Sequence, residues 1–317
     1  MRITIIGGTG HIGTYLIPKL VALNHQVTVV SRGKSKPYLG HYAWKYVERC
    51  DVVRDHEKEN GEFGRKILSL KPDIVIDMIC FNQESAQGLL SILKGNVQQI
   101  LFCGTIWVHG YNCSVPTKEE DNINPLGQYG IGKARMTEYL LRESRFNNLP
   151  IVILHPGHIV GEGWFPVNPL GNFAPRVFSI LSRGEKIQFP TLGLETVHHV
   201  HADDVAQGFI RAMHNQNSAN GEDFHLVSDS AVTFRGYAQT VASWFRNNIN
   251  MEFLSDATWK KGFTEEDIQI SWDHILQSSN CSNAKAQSRI GFKPRYTSME
   301  AVYESLMWLV EHSMIEL

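Results

Sequence analysis

The chain lacks three features that would define its class at once: a long hydrophobic run, an excess of charge of one sign, and low-complexity segments. Its 317 residues carry 30 lysines and arginines against 32 aspartates and glutamates, a formal net charge of −2. Such a balance offers no overall attraction for a nucleic acid or an anionic membrane. No apolar run approaches the roughly 20 residues that a membrane-spanning helix needs. We expect a globular chain with a small-molecule substrate, and neither a membrane nor a nucleic-acid partner.

Paired cysteines are also missing. The five cysteines are an odd number and form no C-x-x-C motif, which favours reduced thiols over a disulfide framework. The first residues turn into glycines too soon for the apolar core of a secretory signal. We therefore expect a cytoplasmic location. The histidine group His198, His199 and His201 has no cysteine nearby and does not complete a zinc site, so no metal is expected.

What the sequence does have is an alternation of short apolar strands with amphipathic helices over the first 160 residues. Strands are predicted at 2–6, 26–31, 44–47, 73–78, 99–103 and 151–154, and helices at 14–23, 63–70, 84–93 and 128–145. This order is typical of parallel strands joined by right-handed crossovers. The fold class is therefore α/β: a doubly wound parallel-sheet Rossmann fold.

The rhythm changes after residue 160. A glycine- and proline-rich loop is predicted at 161–171, helices at 173–182, 203–214, 233–245 and 299–310, and strands at 196–200 and 224–227, with 246–290 less regular. Residues 1–160, completed by about 196–228, are expected to form the dinucleotide-binding domain. Residues 161–195 and 229–317 are expected to form a smaller C-terminal α/β substrate lobe.

A glycine loop joins the first strand to the first helix. Gly7, Gly10 and Gly13 follow the spacing G-x-x-G-x-x-G. A side chain at the second glycine would block a pyrophosphate from the backbone, and one at the third would hold the helix off the sheet. The loop therefore predicts a dinucleotide site rather than a bare turn. Its predicted contact residues are Gly7, Thr9, Gly10, His11, Ile12 and Gly13.

The second strand ends in basic residues. An acidic side chain at this point suits the ribose of NAD, whereas a basic one suits the 2′-phosphate of NADP. The chain has Ser31-Arg32-Gly33-Lys34 here, which favours NADP over NAD unless Arg32 is simply a solvated loop residue. Asp51 and Val52, after the third strand, are expected to meet the adenine edge, with a plain turn aspartate as the alternative.

A tyrosine and a lysine lie four residues apart on the predicted helix 128–145. Tyr129 and Lys133 then share one face. A nearby ammonium lowers the pKa of a phenol, so that Tyr129 exchanges a proton with a substrate oxygen while hydride moves at the adjacent carbon. Lys133 is also placed to hold the nicotinamide ribose. Thr105, just past the fifth strand, is expected to hydrogen-bond the same oxygen.

Taken together, these motifs resemble the extended short-chain dehydrogenase/reductases, the NAD-dependent epimerase/dehydratase family. The segment His201-Ala202-Asp203-Asp204-Val205-Ala206 and the stretch 282–295 resemble further motifs of that family. The resemblance implies a catalytic triad of Thr105, Tyr129 and Lys133. It also implies that Ile79, Cys80 and Pro156 line the cofactor, and it allows for a homodimer.

Departures from the family pattern concern the substrate. His158 stands where nucleotide-sugar enzymes have an asparagine, and Val197 where they have an arginine. An apolar side chain cannot replace a bidentate phosphate clamp. Ile106-Trp107 replaces the Asp-Glu of 4,6-dehydratases, which argues against dehydration. We expect hydride transfer on a sugar-like or other small substrate in an oxidoreductase or epimerase reaction, with Trp107, His158 and Trp164 as substrate-site candidates.

A second interpretation comes from a different class. Some atypical relatives keep the nucleotide-binding fold but act as RNA-binding proteins or dinucleotide sensors without turnover. The loop from Gly8 to Gly13 followed by Ser31-Arg32-Gly33 resembles a plant chloroplast RNA-binding branch. The balanced charge and the Tyr129/Lys133 pair favour the enzyme.

Overall fold

The computed structural model describes residues 1–54, 61–111 and 114–316. Its strands are β1 (Arg2–Ile6), β2 (Gln26–Ser31), β3 (Glu48–Asp51), β4 (Ile74–Asp77), β5 (Gln99–Cys103), β6 (Ile151–Pro156), β7 (His158–Val160), β8 (Lys186–Phe189), β9 (Thr196–Val197), β10 (His199–His201), β11 (Glu222–Leu226), β12 (Val232–Thr233) and β13 (Asn250–Phe253). Seven of them form one parallel sheet in the order β3-β2-β1-β4-β5-β6-β11. This order confirms the predicted Rossmann-type fold.

Helices cover both faces of this sheet. The helices of the described chain are α1 (His11–Ala22), α2 (Glu62–Ser69), α3 (Gln83–Leu93), α4 (Gly127–Asn147), α5 (Arg176–Ser182), α6 (Ala202–His214), α7 (Gln216–Ala219), α8 (Phe234–Trp244), α9 (Asp256–Trp259), α10 (Glu265–Gln277), α11 (Ala284–Ile290) and α12 (Ser298–Glu311), with 3₁₀ turns at Tyr42–Tyr46, Ile106–Val108 and Lys260–Gly262. Helices α1 and α6 pack on one face and α2, α3 and α4 on the other. Covered faces explain why the central strands are almost wholly apolar.

The strand order reverses between β1 and β4, which start the two halves of the sheet. In open parallel sheets a crevice forms at this reversal, outside the carboxyl ends of the strands. The glycine loop follows β1, Ile79 follows β4 and Thr105 follows β5. The topology therefore brings all three to one edge of the sheet.

A second core lies beyond this edge. Buried side chains of α5, α8 and α12 pack together with Ile187 and Phe189 of β8. The 161–171 segment is a loop, as predicted, and leads from the sheet into this core. Helix α12 begins with a capping box in which Thr297 and Glu300 exchange hydrogen bonds. In the described part of the chain, no helix is both long and apolar enough to cross a bilayer.

The prediction of a strand at 44–47 is wrong. Residues Tyr42–Tyr46 form a 3₁₀ turn, and the third strand is Glu48–Asp51. This strand lies at the edge of the sheet, where it is mostly exposed and polar in sequence. An exposed edge strand has no apolar run by which it could be predicted from sequence. Trp44 packs against the core although it lies in a 3₁₀ turn, so its segment resembles a strand in the sequence.

Several other boundaries also differ from the predictions, among them the start of α1 at His11 and the end of β6 at Pro156. The strand expected at 196–200 is interrupted at His198: Thr196–Val197 pairs with β12 and His199–His201 pairs with β7. The helix expected at 173–182 begins only at Arg176, after Pro175, because proline lacks the N–H that a helix interior needs. Strand β11 pairs with β6 and so adds residues 222–226 to the central sheet.

Candidate active site

The glycine loop turns tightly from β1 into α1. Gly7 has a φ of +79°, which favours glycine, and a Cβ there would lie 2.6 Å from a methyl of Ile79. A Cβ on Gly13 would lie 1.9 Å from the carbonyl oxygen of Gly8. A Cβ on Gly10 would meet only the carbonyl oxygen of Gly7, at 3.6 Å. Gly13 thus serves the packing of α1, while the space at Gly10 is open to a ligand.

Two neighbouring cavities extend from this loop. The first has a volume of about 390 Å³ and the second about 640 Å³. Among the described residues, four line both cavities: Gly7, Gly10, Ile79 and Phe81. The glycine loop therefore lies where the cavities meet, as a pyrophosphate between two nucleotide halves would require.

Thr105, Tyr129 and Lys133 all line the first cavity. Thr105 precedes the 3₁₀ turn Ile106–Val108, and its hydroxyl oxygen accepts a hydrogen bond from the Trp107 N–H at 3.3 Å. The Thr105 hydroxyl acts on the Tyr129 phenol in the direction of a lower pKa. Two segments that are distant in sequence, the end of β5 and the start of α4, thus bring a hydroxyl, a phenol and an ammonium to one cavity.

The predicted lowering of the pKa of Tyr129 is wrong for the chain by itself. Although 47% of the residue's surface is exposed within the cavity, burial of the phenol raises its pKa to about 12. The Cys103 thiol acts in the same direction, and the Thr105 hydroxyl opposes it. Tyr129 therefore holds its proton at neutral pH.

Lys133 does not contact the Tyr129 hydroxyl. Its Nζ donates to the carbonyl oxygens of Cys80 at 2.8 Å and Cys103 at 2.6 Å, and it lies 6.0 Å from the centre of the Tyr129 ring. The side chain is buried, and burial lowers its pKa. The ammonium thus links the ends of β4 and β5 beside the cavity, where its third donor remains for a ligand.

Trp107 and His158 form part of the cavity wall. The Trp107 Nε1–H donates to His158 Nε2 at 3.2 Å, and His158 Nδ1 lies 3.4 Å from the His198 carbonyl oxygen. Because Nε2 accepts, Nδ1 carries the proton. Burial holds the pKa of His158 well below its usual value. This neutral histidine therefore orients the indole beside Tyr129.

His11 and Trp164 also line the first cavity, and they stack with 5.0 Å between ring centres. Tyr38 packs edge-on against Trp164 at 5.4 Å. Burial lowers the pKa of His11 to about 3, and His201 acts in the same direction. The 161–171 loop thus meets the glycine loop through aromatic rings.

The second cavity has a basic border. Arg32, Lys34 and Lys36 line it together with Thr9 and Val52. Asp51, predicted to meet the adenine edge, does not line this cavity. Its carboxylate would lie 2.9 Å from a Cβ on Gly33, and it accepts a weak hydrogen bond from the Ser31 hydroxyl at 3.5 Å. Asp51 thus packs against the turn that carries Arg32 and Lys34.

The other residues predicted to contact the cofactor differ in whether their side chains line a cavity. Ile12, Ile79 and Pro156 line the first cavity. The Cys80 side chain is fully buried outside both linings, and the residue acts through its carbonyl, which accepts from Lys133. Cys80 lies in the irregular segment that follows β4.

Several residues that line the two cavities were not predicted from the sequence. Phe81 and Phe173 line the first cavity, and Tyr38, Phe63 and Arg54 the second. Arg54 forms a buried ion pair with Asp77 at 2.6 Å. The aspartate at the end of the β4 strand was a visible signal for this pair, because a buried carboxylate needs a partner. Phe81, Phe173 and Tyr38 come from loops without a motif, and Phe63 comes from the first turn of α2.

His201 supports the turn from β10 into α6: its Nδ1 accepts from the Asp203 N–H at 3.0 Å. Its other nitrogen, Nε2, lies 2.9 Å from a carboxylate oxygen of Glu304. Within residues 1–54, 61–111 and 114–316, no three histidine, cysteine, aspartate or glutamate side chains are grouped to hold a metal ion.

A model of the NAD dependent epimerase/dehydratase family matches residues 3–226, from β1 to the end of β11. The chain belongs to this family. The match spans the glycine loop and all three residues of the Thr105, Tyr129 and Lys133 group. The resemblance inferred from the motifs is therefore confirmed, and with it the NAD-dependent character of the family.

The known proteins to which this chain is similar have names that describe different activities. The chain is 27% identical to the chloroplast stem-loop binding protein of 41 kDa b from Arabidopsis thaliana, over 96% of this chain and 78% of that protein. It is 22% identical to a UDP-glucose 4-epimerase from Lacticaseibacillus casei, over 96% and 95%. The dTDP-glucose 4,6-dehydratase of Bacillus anthracis, solved with NAD, superimposes with a TM-score of 0.77 at 15% identity, over 99% and 98%. At that identity the likeness concerns the fold alone.

The family's dinucleotide fits the residues present here. Gly10 leaves its Cβ position open, the two cavities join at the glycine loop, and Lys133 borders the first of them. The first cavity also carries a hydroxyl and a phenol, Thr105 and Tyr129. A dinucleotide that crossed the glycine loop would have one half in each cavity.

Two alanine substitutions separate folding from binding. We expect Gly10→Ala to keep the free energy of unfolding within about 1 kcal/mol, since its φ of −81° suits alanine, but to weaken dinucleotide binding at least about tenfold. Gly13→Ala, which forces a Cβ into a backbone carbonyl, should destabilise the chain by about 2 kcal/mol or more. Chemical denaturation and calorimetric titration measure both. Equal effects of the two substitutions on stability would contradict this division.

Proposed function

We propose that this protein is an NADP-dependent oxidoreductase or epimerase that moves hydride between nicotinamide and a hydroxyl- or carbonyl-bearing carbon of a small molecule. One observation carries the proposal: Thr105 and Tyr129 line one cavity that continues to the glycine loop and is bordered by Lys133. A structural tyrosine in a packed core would not need an open cavity beside its hydroxyl.

Tyr129, Thr105 and Lys133 each have a separate role in this reaction. Tyr129, protonated at neutral pH because its pKa is raised to about 12, donates its proton to a carbonyl oxygen as that carbon is reduced. The Thr105 hydroxyl hydrogen-bonds the phenol and stabilises the phenolate that forms. Lys133, fixed by two carbonyls, places its positive charge on the same side. The bound dinucleotide supplies or accepts the hydride.

The cavity wall argues for redox chemistry or epimerisation rather than dehydration. Trp107 and Ile106 follow Thr105, and no aspartate or glutamate is among the described residues that line the first cavity. Val197, at the position of the family's phosphate-binding arginine, is buried in the second core. We propose a compact substrate that packs against aromatic side chains and lacks a diphosphate group.

The preference for NADP rests on the basic border of the second cavity. We expect Arg32→Ala to weaken NADPH binding about 10- to 100-fold and NADH binding less than about twofold, since a hydrogen bond to a charged group contributes about 1.5–3 kcal/mol. The matched control is Arg49→Ala, an exposed arginine on the neighbouring strand that packs on Trp44. Calorimetric titration with both dinucleotides measures the effect. Tighter binding of NADH than NADPH by the unaltered protein would contradict the preference.

A deuterium label tests the proposed function before the substrate is known. The purified protein is incubated with C4-deuterated NADPH and a metabolite extract, and mass spectrometry detects labelled products. We expect at least one product that gains deuterium from the dinucleotide, and none with Tyr129→Phe. Failure of the unaltered protein to oxidise the dinucleotide with any fraction of the extract would contradict a net oxidoreductase reaction and leave epimerisation, which returns its hydride to the substrate.

A second candidate is nucleic-acid binding without turnover. The observation in its favour is the 27% identity, across 96% of the chain, with a protein named for stem-loop binding. Filter binding to structured RNA at increasing salt tests this candidate, because phosphate contacts make affinity fall steeply with salt. Steep salt dependence together with an absence of deuterium transfer would favour it over the enzyme. The near-zero net charge argues against it.

A further inference from the structure

A buried histidine lies directly behind Thr105. His155 is the fifth residue of β6 and is fully buried. Its Nδ1 accepts a hydrogen bond from the Thr105 backbone N–H at 3.0 Å. A neutral imidazole has one donor and one acceptor, so Nε2 carries the proton. The side chain lines neither cavity, and its contact with the site is through the Thr105 backbone.

The imidazole also packs against the residue before Thr105. A Cβ on Gly104 would lie 2.2 Å from His155 Nδ1. Only glycine therefore lets the end of β5 lie this close to the ring. The backbone of Gly104 and Thr105 is held by contact on one side and by a hydrogen bond at its N–H.

A carboxylate lies behind the histidine in turn. Asp223, on the adjacent strand β11, has its Oδ2 3.5 Å from His155 Nε2. Lys285 of α11 donates to Asp223 Oδ1 at 3.1 Å. Burial raises the pKa of Asp223, but the nearby His155 imidazole and the Lys285 ammonium outweigh burial and hold the pKa well below the usual value. Asp223 is therefore ionised and favours the tautomer of His155 with hydrogen on Nε2.

We propose that His155 and Asp223 are positioning residues that fix the Thr105 turn and thereby direct its hydroxyl at Tyr129. This inference rests on the proposed function for its catalytic meaning. A threonine has few side-chain rotamers, so the direction of its hydroxyl follows the backbone closely. The order of contacts is Lys285, Asp223, His155, Thr105 and Tyr129, running from the far edge of the sheet to the cavity.

Two substitutions at one position separate positioning from folding. His155→Asn offers an amide oxygen as an acceptor for the Thr105 N–H, whereas His155→Leu offers none. With the substrate found by deuterium labelling, we expect His155→Leu to lower kcat about 10- to 100-fold with KM and the dinucleotide Kd changed less than about twofold. His155→Asn should restore most of kcat. A fall in kcat for both variants to the same level would overturn the proposal.

Nuclear magnetic resonance provides a readout that does not need turnover. In the unaltered protein we expect the Nε2–H tautomer of His155 and a hydrogen-bonded Thr105 amide resonance. His155→Leu should shift that amide toward the position of a free amide, and His155→Asn should not. If His155→Leu does not fold, Asp223→Asn takes its place, and we expect loss of the single tautomer. An Nδ1–H tautomer, or an unshifted amide in His155→Leu, would overturn the inference even where deuterium transfer succeeds.

Discussion

Replacing Tyr129 by phenylalanine lowers hydride transfer by about 10²- to 10⁴-fold and leaves dinucleotide affinity unchanged. Phenylalanine keeps the ring beside Trp107 and Phe81 but removes the proton that the substrate oxygen receives. Because the pKa of this phenol is raised to about 12, the group is a competent proton donor throughout the neutral range. Reduction of a carbonyl should therefore keep its rate from pH 6 to 9. Stopped-flow measurement of dinucleotide oxidation provides the rate.

Tyr46→Phe is the matched control for this substitution. The Tyr46 ring is 70% exposed and lies outside both cavities, so we expect full activity. A Tyr129→Phe variant that turns over as fast as the unaltered protein would remove Tyr129 from the reaction. A variant that loses dinucleotide affinity instead would mean that the phenol acts in binding.

Lowering the pH from 7 to 5 should cost the fold most of its stability. Burial lowers the pKa of His11 and His199 to about 3 and that of His198 to about 4. Unfolded histidines take up protons below about pH 6.5, whereas these three stay neutral in the folded chain. The stability they contribute is present above pH 6.5 and is lost as the pH falls toward their folded values. The loss is about 2 kcal/mol for each by pH 5, or about 6 kcal/mol together.

Five further buried or partly buried histidines act in the same direction, because burial also lowers their pKa: His25, His109, His158, His225 and His274. A natural domain is stable by only about 5–15 kcal/mol, so we expect acid unfolding to begin near pH 5. Urea unfolding followed by tryptophan fluorescence at pH 7, 6 and 5 measures the slope.

One variant tests the cause of this acid sensitivity. His199→Phe should keep the ring packing on Tyr237 and reduce the proton uptake on unfolding by about one. His214→Gln removes an exposed imidazole and is the matched control. Equal free energies of unfolding at pH 7 and pH 5 would contradict the burial of neutral histidines.

The central sheet could be predicted from sequence because its strands carry their own signal. Covered on both faces, β1, β2 and β5 are short apolar runs whose bounds are visible in the sequence. Edge and lobe strands have no such signal. Glu48–Asp51 is polar and exposed, and the 250–253 strand becomes a strand only by pairing with Lys186–Phe189.

The residues of the site also differ in whether the sequence could predict them. Residues fixed by local geometry, such as Gly13 and the Tyr129–Lys133 spacing, could be predicted because their reasons lie within a few residues. The state of Tyr129 could not be predicted, since its pKa depends on burial and on Lys133 bonding to carbonyls from two other segments. The His155–Asp223 pair escaped for the same reason: the two residues lie on strands that are adjacent only in the folded sheet.

A crystal structure of the protein with NADP⁺ tests the central claim most directly. The account predicts a dinucleotide that crosses the glycine loop at Gly10, with its 2′-phosphate near Arg32 and its nicotinamide in the first cavity against Tyr129. Lys133 should then donate to the adjoining ribose. A nicotinamide ring outside that cavity, with the Tyr129 hydroxyl facing only protein, would contradict hydride transfer at this site.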